Sequence, residues 1–463
     1  MSDASMTDRA GGTGSDAAAG IVAGLMSSMK SDLDELVRIP SVSFPGFAGG
    51  EPLVQAHDLV AELFRGAGVT NVDTLTLPHT APVVTGEIPA PEGAPTVLLY
   101  GHYDVVAAGD ESQWTTPPFE PAERDGAIYG RGTADSKSNV IAHVGALRAW
   151  EGRPPVGIKL VIEGQEEVGS ALNTYPQTHP DFFRSDAMLI ADMGSVRPGV
   201  PTLTVALRGM AMATIEVTTL GGPKHSGQYG GAAPDALIVL LHALASLHDE
   251  HGDVTVAGLR REEWTGESYT DDEFRELAEV LPELPLIGSG GLGSRVWSGP
   301  AITVTGIDVP SVENALNAVS PHARAKLNLR VHPAQDAGEA QAALVDHLQK
   351  LRPFGIALEV HAQETGNGFA AETSGPAYEA ATAAMAAAWG RAPVTAASGG
   401  SIPLVNALHS AVPEAEILLL GTTDGYSNIH APDERVMVDE FEKATVAEAI
   451  FFREFAERHA AAR

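Results

Sequence analysis

Apolar residues recur along this chain in two rhythms, and the rhythms divide it. Over residues 96–100 (TVLLY), 157–162 (GIKLVI) and 187–191 (AMLIA) the apolar positions are consecutive, as in strands buried on both faces. Residues 21–37 and 139–150 carry them at helical spacing, and 38–50 is a loop rich in Pro, Ser and Gly. Strand and helix alternate, which predicts a doubly wound α/β domain with a largely parallel sheet. Ligands of such sheets bind beyond the carboxyl ends of the strands.

Near residue 207 the rhythm changes. Residues 212–219 alternate like a strand with one buried face, and 233–247 reads as a helix. Strands over 301–306 and 323–331, a helix over 338–351 and a strand over 356–362 follow. That order, βαββαβ, predicts a smaller two-layer α+β domain. Residues 259–300, acidic in part and glycine-rich in part, interrupt it without a pattern that assigns them an element. A helix over 375–389 and an apolar strand over 417–420 then resume the first rhythm. The smaller domain is therefore expected as an insertion over 208–368, within a larger domain over 20–207 and 369–463, behind a disordered leader over 1–19.

Composition narrows the chemistry. With 463 residues and 44% hydrophobic content the chain can bury a large core in two domains. It has no apolar run of about eighteen residues to cross a bilayer, so no membrane association is expected. Its first twenty residues hold acids and glycines where a secretory signal has a basic start and an apolar centre, which predicts a cytoplasmic protein. Cysteine is absent, so disulfides and thiolate metal sites are excluded and any metal must be held by His and carboxylates. A formal charge of -31 repels phosphate backbones and anionic lipid, which argues against nucleic acid as a partner.

Metal-competent residues stand where the larger domain's strands end. GHYD supplies His102 and Asp104, GRGTADSK supplies Asp135, EGQEEVGS supplies Glu166 and Glu167, Asp192 follows AMLIA, and His430 follows EILLL through GTTDGYSNIHAPDE. A single His or Asp after a strand is more often a turn or cap residue. Recurrence at successive strand ends points instead to one shared site. Two adjacent glutamates raise each other's pKa, a cost that a bound cation removes. Two divalent ions can share such a set, with one carboxylate bridging them.

GHYD, the stretch from PPFEP through DGAIYGRGTADSK, EGQEEVGS, ADMG and IHAPDE, taken in that order, resemble the co-catalytic dizinc metallopeptidases and amidohydrolases. That family includes carnosine dipeptidases, glutamate carboxypeptidase, aminoacylase and succinyl-diaminopimelate desuccinylase. The resemblance implies two divalent ions per subunit, zinc or else manganese or cobalt. Asp135 would bridge them, with His102 and Asp192 completing one site and Glu167 and His430 the other. Glu166 would then be the general base, and Asp104 would accept the second imidazole N–H of His102 and orient it.

The same resemblance makes the smaller domain a lid and dimerisation domain of a homodimer. His225, in GGPKHSGQYGG, would reach the partner subunit's active site, and Asn317 and Arg330 would contact substrate. Arg330 suits a free carboxylate, and Gly399, Gly400 and Ser401 in ASGGSIP form a possible anion nest for it. Where the family has Asp-Asp-Lys-Gly or Asp-Met-Lys-Gly, this chain has Asp135-Ser136-Lys137-Ser138. Aspartate rather than glutamate at 192 tilts the expectation towards the dipeptidase branch. The expected activity is hydrolysis of a dipeptide or similar small amide with a free carboxylate. An N-acyl-amino-acid deacylase with the same mechanism is the alternative, and a non-catalytic binding protein of the same fold is a third.

Overall fold

The structure, a computed structural model, describes residues 14–47, 50–400 and 402–462. They form two compact units. One takes residues up to Val205 with Ala371–Ala396 and Leu404–Arg463; the other takes Ala206–Ala370 with Ala397–Pro403. The short segment 397–403, expected in the larger domain, thus packs with the inserted one.

In the first unit, apolar runs pair as the central strands of a mixed nine-stranded sheet. Gly157–Glu163, Thr96–His102, Ala187–Ala191 and Glu416–Leu420 lie side by side and parallel. Outside them the pairing turns antiparallel: Asp73–Leu75 and Val83–Ile88 extend one flank, and Thr202–Leu207 begins the other. The sheet is therefore parallel at its centre only, a correction to the expected largely parallel sheet. Val83–Ile88 and Thr202–Leu207 are mostly buried but carry threonine or glycine among their apolar residues, so the consecutive apolar signature fades there.

Helices Gly14–Arg38, Ser138–Ala149, Pro376–Trp389 and Val438–Ala462 pack on one another in this unit's core. The first begins well before the expected residue 21. Ala17, Ala18 and Ala19 are strong helix formers, and Ala18 is fully buried. The leader expected through residue 19 is cut short accordingly, and residues 1–13 lie outside the described part.

The second unit keeps the expected βαββαβ order. Its antiparallel sheet runs Ala301–Asp308, His322–Val331, Gly209–Thr218, Glu359–Gly366. Alternation sends Ala211, Ala213, Ile215 and Val217 inward with Leu327 and Leu329, against helices Ala236–Ala245 and Ala337–Lys350. The unassigned stretch 259–300 is ordered: it holds helix Asp271–Leu277, closed by a capping box of Thr270 and Glu273, and the short helix Leu292–Val296.

Candidate metal centre

Because the central strands are parallel, their carboxyl ends share one edge, and that edge assembles the acids. His102 closes its strand, opposite Glu163 in register, and Asp192 follows Ala191 directly. Glu166 and Glu167 sit in the turn after Glu163. Gly164 in that turn has no room for a side chain, since a Cβ would stand 2.2 Å from the Tyr103 hydroxyl. Asp104 holds the turn from the other side: its carboxylate accepts the backbone N–H groups of Glu166 at 3.1 Å and Glu167 at 3.2 Å. Gln165 ties it further, donating to Gly169 O at 3.0 Å and accepting from Ala81 N at 3.0 Å.

Asp135 and His430 are carried by loops next to strands outside the central sheet. Their loops leave a separate three-stranded sheet, in which Ala127–Tyr129 pairs with both Ala122–Arg124 and Arg435–Met437. Residues about three hundred positions apart are thus brought together by local strand pairing. Glu434 completes the junction: fully buried, its carboxylate accepts Arg131 Nη1 at 2.6 Å and the N–H groups of Gly132, Ala134 and Asp135 at 2.9–3.0 Å. Sequence reasoning passed over Glu434, although it stands in the IHAPDE segment. Three hydrogen bonds from one loop make it the residue that fixes Asp135.

The side chains converge. His102 Nε2 lies 2.9 Å from Asp135 Oδ1 and 3.2 Å from Asp192 Oδ1. His430 Nε2 lies 3.2 Å from Asp135 Oδ2 and 3.0 Å from Glu167 Oε2. Two donor sets result, His102–Asp135–Asp192 and Asp135–Glu167–His430, joined through Asp135. Glu166 stands beside them, and among the described residues no hydrogen bond reaches its carboxylate. His102 Nδ1 meets Asp104 through its backbone oxygen at 3.1 Å, nearer than the carboxylate at 3.4 Å, so the orienting contact is shared between backbone and side chain.

Charge favours a cation here. Burial alone would lower the pKa of His102, yet Asp192, Asp104 and Asp135 outweigh it and hold the ring well above the imidazole range. Hydrogen bonds donated to the carboxylates of Asp135 and Glu167 push His430 up to about 10. Burial also raises Asp192 and Glu167, and burial followed by the charge of Asp192 pushes Glu166 up to about 9. Buried carboxyls thus outnumber the imidazoles facing them, and Glu167 Oε1 is buried with no partner. His and carboxylate donors with an unpaired oxygen fit divalent ions, which would replace the protons the imidazoles now hold.

The departure at Asp135-Ser136-Lys137-Ser138 is absorbed locally. The Asp135–Ser136 peptide is cis. Ser138 has φ −64° and ψ −33°, ordinary helical backbone that needs no glycine, and its hydroxyl lies 2.6 Å from that of Thr422. Lys137 is buried and donates to Leu36 O and Ile39 O at 2.9 Å, with burial lowering its pKa to about 7.

The second unit holds the remaining candidates. Strands Lys224–His225 and Ala318–Val319 pair, setting His225 opposite Ala318 and next to Asn317, whose backbone oxygen accepts Ser226 N at 2.9 Å. Both residues are exposed. Arg330 stands half-buried on His322–Val331, apart from that ladder, opposite Met210 and Ala301. Gly399 and Gly400 belong to segment 397–403, where Gly400 N donates to Ser398 Oγ at 3.2 Å. Ser401 lies outside the described residues.

The description of peptidase family M20/M25/M40 matches residues 98–453. A cysteinylglycine-S-conjugate dipeptidase of Corynebacterium striatum is 42% identical over 366 residues, covering 77% of this chain and 80% of that protein. The β-Ala-His dipeptidase of Mus musculus is 27% identical over 447 residues, covering 88% of this chain and 89% of its own. The crystal structure of human carnosine dipeptidase 1 superposes with a TM-score of 0.77 at 24% identity, covering 96% of this chain and 99% of that one, which shows a shared fold.

Proposed function

The chain belongs to peptidase family M20/M25/M40, and from that premise we propose that it is a dinuclear metallodipeptidase whose general base is Glu166. The observation that carries this reading is the pair of donor sets joined through Asp135, with Glu166 unengaged beside them. His102 and Asp192 would hold one ion, Glu167 and His430 the other, and zinc suits the donors. Ions bound there supply Lewis-acid charge that polarises the scissile carbonyl and acidifies water.

The residues do the rest. Glu166 takes a proton from the attacking water as its oxygen bonds to the carbonyl carbon. When the C–N bond breaks, Glu166 returns that proton to the leaving nitrogen. With only protein charges around it Glu166 is held up to about 9, and cationic charge alongside pulls it back towards the ionised base. Asp104 keeps Glu166 and Glu167 in place through their backbones, so that one glutamate ligates and its neighbour stays free.

Arg330 would pair with the substrate's free carboxylate, with the Gly399–Gly400 backbone beside it, while Asn317, next to His225, would contact substrate together with that histidine. The 42% identity to a cysteinylglycine-S-conjugate dipeptidase directs the substrate assay. Kcat/KM for an S-alkylated cysteinylglycine is expected to exceed that for β-Ala-His by more than about tenfold, about 1.4 kcal/mol of transition-state binding. N-acyl amino acids should be slower still. Preferential hydrolysis of N-acyl amino acids would overturn the dipeptidase reading in favour of a deacylase.

A homodimer is part of the proposal. The outer strand Ala301–Asp308 and the loop after it expose Val304, Ile307, Val309, Val312 and Leu316, an apolar surface suited to a second copy. His225 would complete the partner subunit's site, and its exposure supports that role. His225→Ala should lower turnover with little change in thermal stability. Mixing inactive His225→Ala and Glu166→Ala chains should recover activity through hybrid dimers, and no recovery would remove the role across subunits. A cytoplasmic location fits the cysteine-free composition, since no disulfide ties the fold to an oxidising compartment. Among the described residues no helix is long and apolar enough to cross a membrane.

A further inference from the structure

Among the described residues the second unit holds a buried cation without a counter-charge. Arg208 is 5% exposed, yet among the described residues its side chain hydrogen-bonds only to neutral carbonyls. Nη1 donates to Val296 O at 2.6 Å, Nη2 donates to Gly299 O at 2.8 Å, and Nε is buried with no partner. Its backbone N–H donates to Ser398 O at 3.2 Å, the residue before Gly399. Arg330 adds a second guanidinium: it stands in register opposite Met210, two residues along from Arg208, and burial followed by its charge lowers the pKa of Arg208 to about 10, which leaves Arg208 a cation at neutral pH. Among the described residues the Arg330 side chain has no hydrogen bond or ion pair.

Burying a charge without an opposite charge is costly, and proteins ordinarily pair it. This chain has 60 acidic residues against 29 Lys and Arg, so acids to pair with are abundant. Two adjacent arginines left without a carboxylate therefore call for an anion from outside the chain. Side-chain contacts with Val296 and Gly299, together with the backbone contact with Ser398, also fix Arg208 relative to the segment that carries Gly399 and Gly400.

We propose that Arg208 is a positioning residue for substrate selection: its fixed, uncompensated charge reinforces Arg330 and restricts the site to substrates ending in a free carboxylate. The inference rests on the reading that Arg330 pairs with that carboxylate, and goes beyond it by assigning the selectivity to a residue that need not touch substrate. Charge of one sign within a low-dielectric wall strengthens the attraction for an anion, whereas a neutral amide gains nothing from it.

The test compares a dipeptide with its C-terminal amide as substrates of the full-length enzyme, with thermal stability followed in parallel. Arg208→Gln should raise KM for the free acid about tenfold, keep kcat within about twofold and leave the amide unaffected, so that the acid-over-amide preference falls about tenfold. Arg208→Lys keeps the charge and should retain most of the preference. Equal losses for acid and amide that follow a drop in thermal stability would reduce Arg208 to packing and overturn the proposal. Should Arg208→Gln fail to fold, Arg208→Lys decides: a retained preference supports the proposal and a lost one overturns it. Arg330→Gln separates the two readings. If it leaves the acid preference intact, the carboxylate reading itself fails; if it abolishes the preference while Arg208→Gln does not change it, only the inference about Arg208 fails.

Discussion

Glu166→Ala is expected to reduce kcat by about 10²–10⁴-fold, the range lost with a general base, while bound metal stays near two ions per chain. The expectation follows from placement. Glu166 is in neither donor set, although its neighbour Glu167 lies 3.0 Å from His430. Its backbone N–H is held by Asp104, and that bond survives side-chain truncation, so the turn and Glu167 should keep their positions. Kinetics and elemental analysis of one preparation make the check. Loss of metal along with activity would mean that the glutamates have been assigned the wrong way round.

The second large effect is expected at Asp135. One oxygen faces His102 and the other faces His430, so a single carboxylate serves both donor sets. Asp135→Asn keeps the size of the side chain but removes the charge and one of its two acceptor oxygens. Hydrogen bonds and charge from His102 and His430 hold Asp135 ionised against its burial, well below the usual carboxylate range. The wild-type residue is therefore anionic over the whole working pH range, and the substitution removes a full charge. Metal content should fall well below two ions per chain, with an affinity loss greater than the about 10–100-fold typical when a ligand's hydrogen-bond partner is removed. Two ions retained at wild-type affinity would place the metals elsewhere.

Much of this site could be read from the sequence because its acids follow apolar runs whose strand character is unmistakable. TVLLY, GIKLVI and AMLIA each deliver a residue to the same sheet edge, and parallel pairing makes those ends adjacent. The smaller domain was legible for the complementary reason: period-two alternation in 209–218 and 322–331 marks one buried face. Hidden from view was whatever depends on contacts remote in sequence. Glu434 holds the Asp135 loop from about three hundred residues away, and nothing in PDE marks it as different from a turn acid. Arg208 looks like any strand-end cation until its surroundings prove to be carbonyls. The separate sheet that delivers Asp135 and His430 is built from strands of three residues, too short to leave a period. Segment 397–403 changes unit within a few residues, a boundary that no compositional shift announces.

The proposed catalysis depends on a pair of ions sharing Asp135, and X-ray anomalous scattering from crystals of the zinc-loaded protein tests that most directly. Two peaks are predicted per chain, one against His102 and Asp192, the other against Glu167 and His430, both touching Asp135, with Glu166 bound to neither. A single peak, or peaks that Glu166 ligates in place of Glu167, would contradict it.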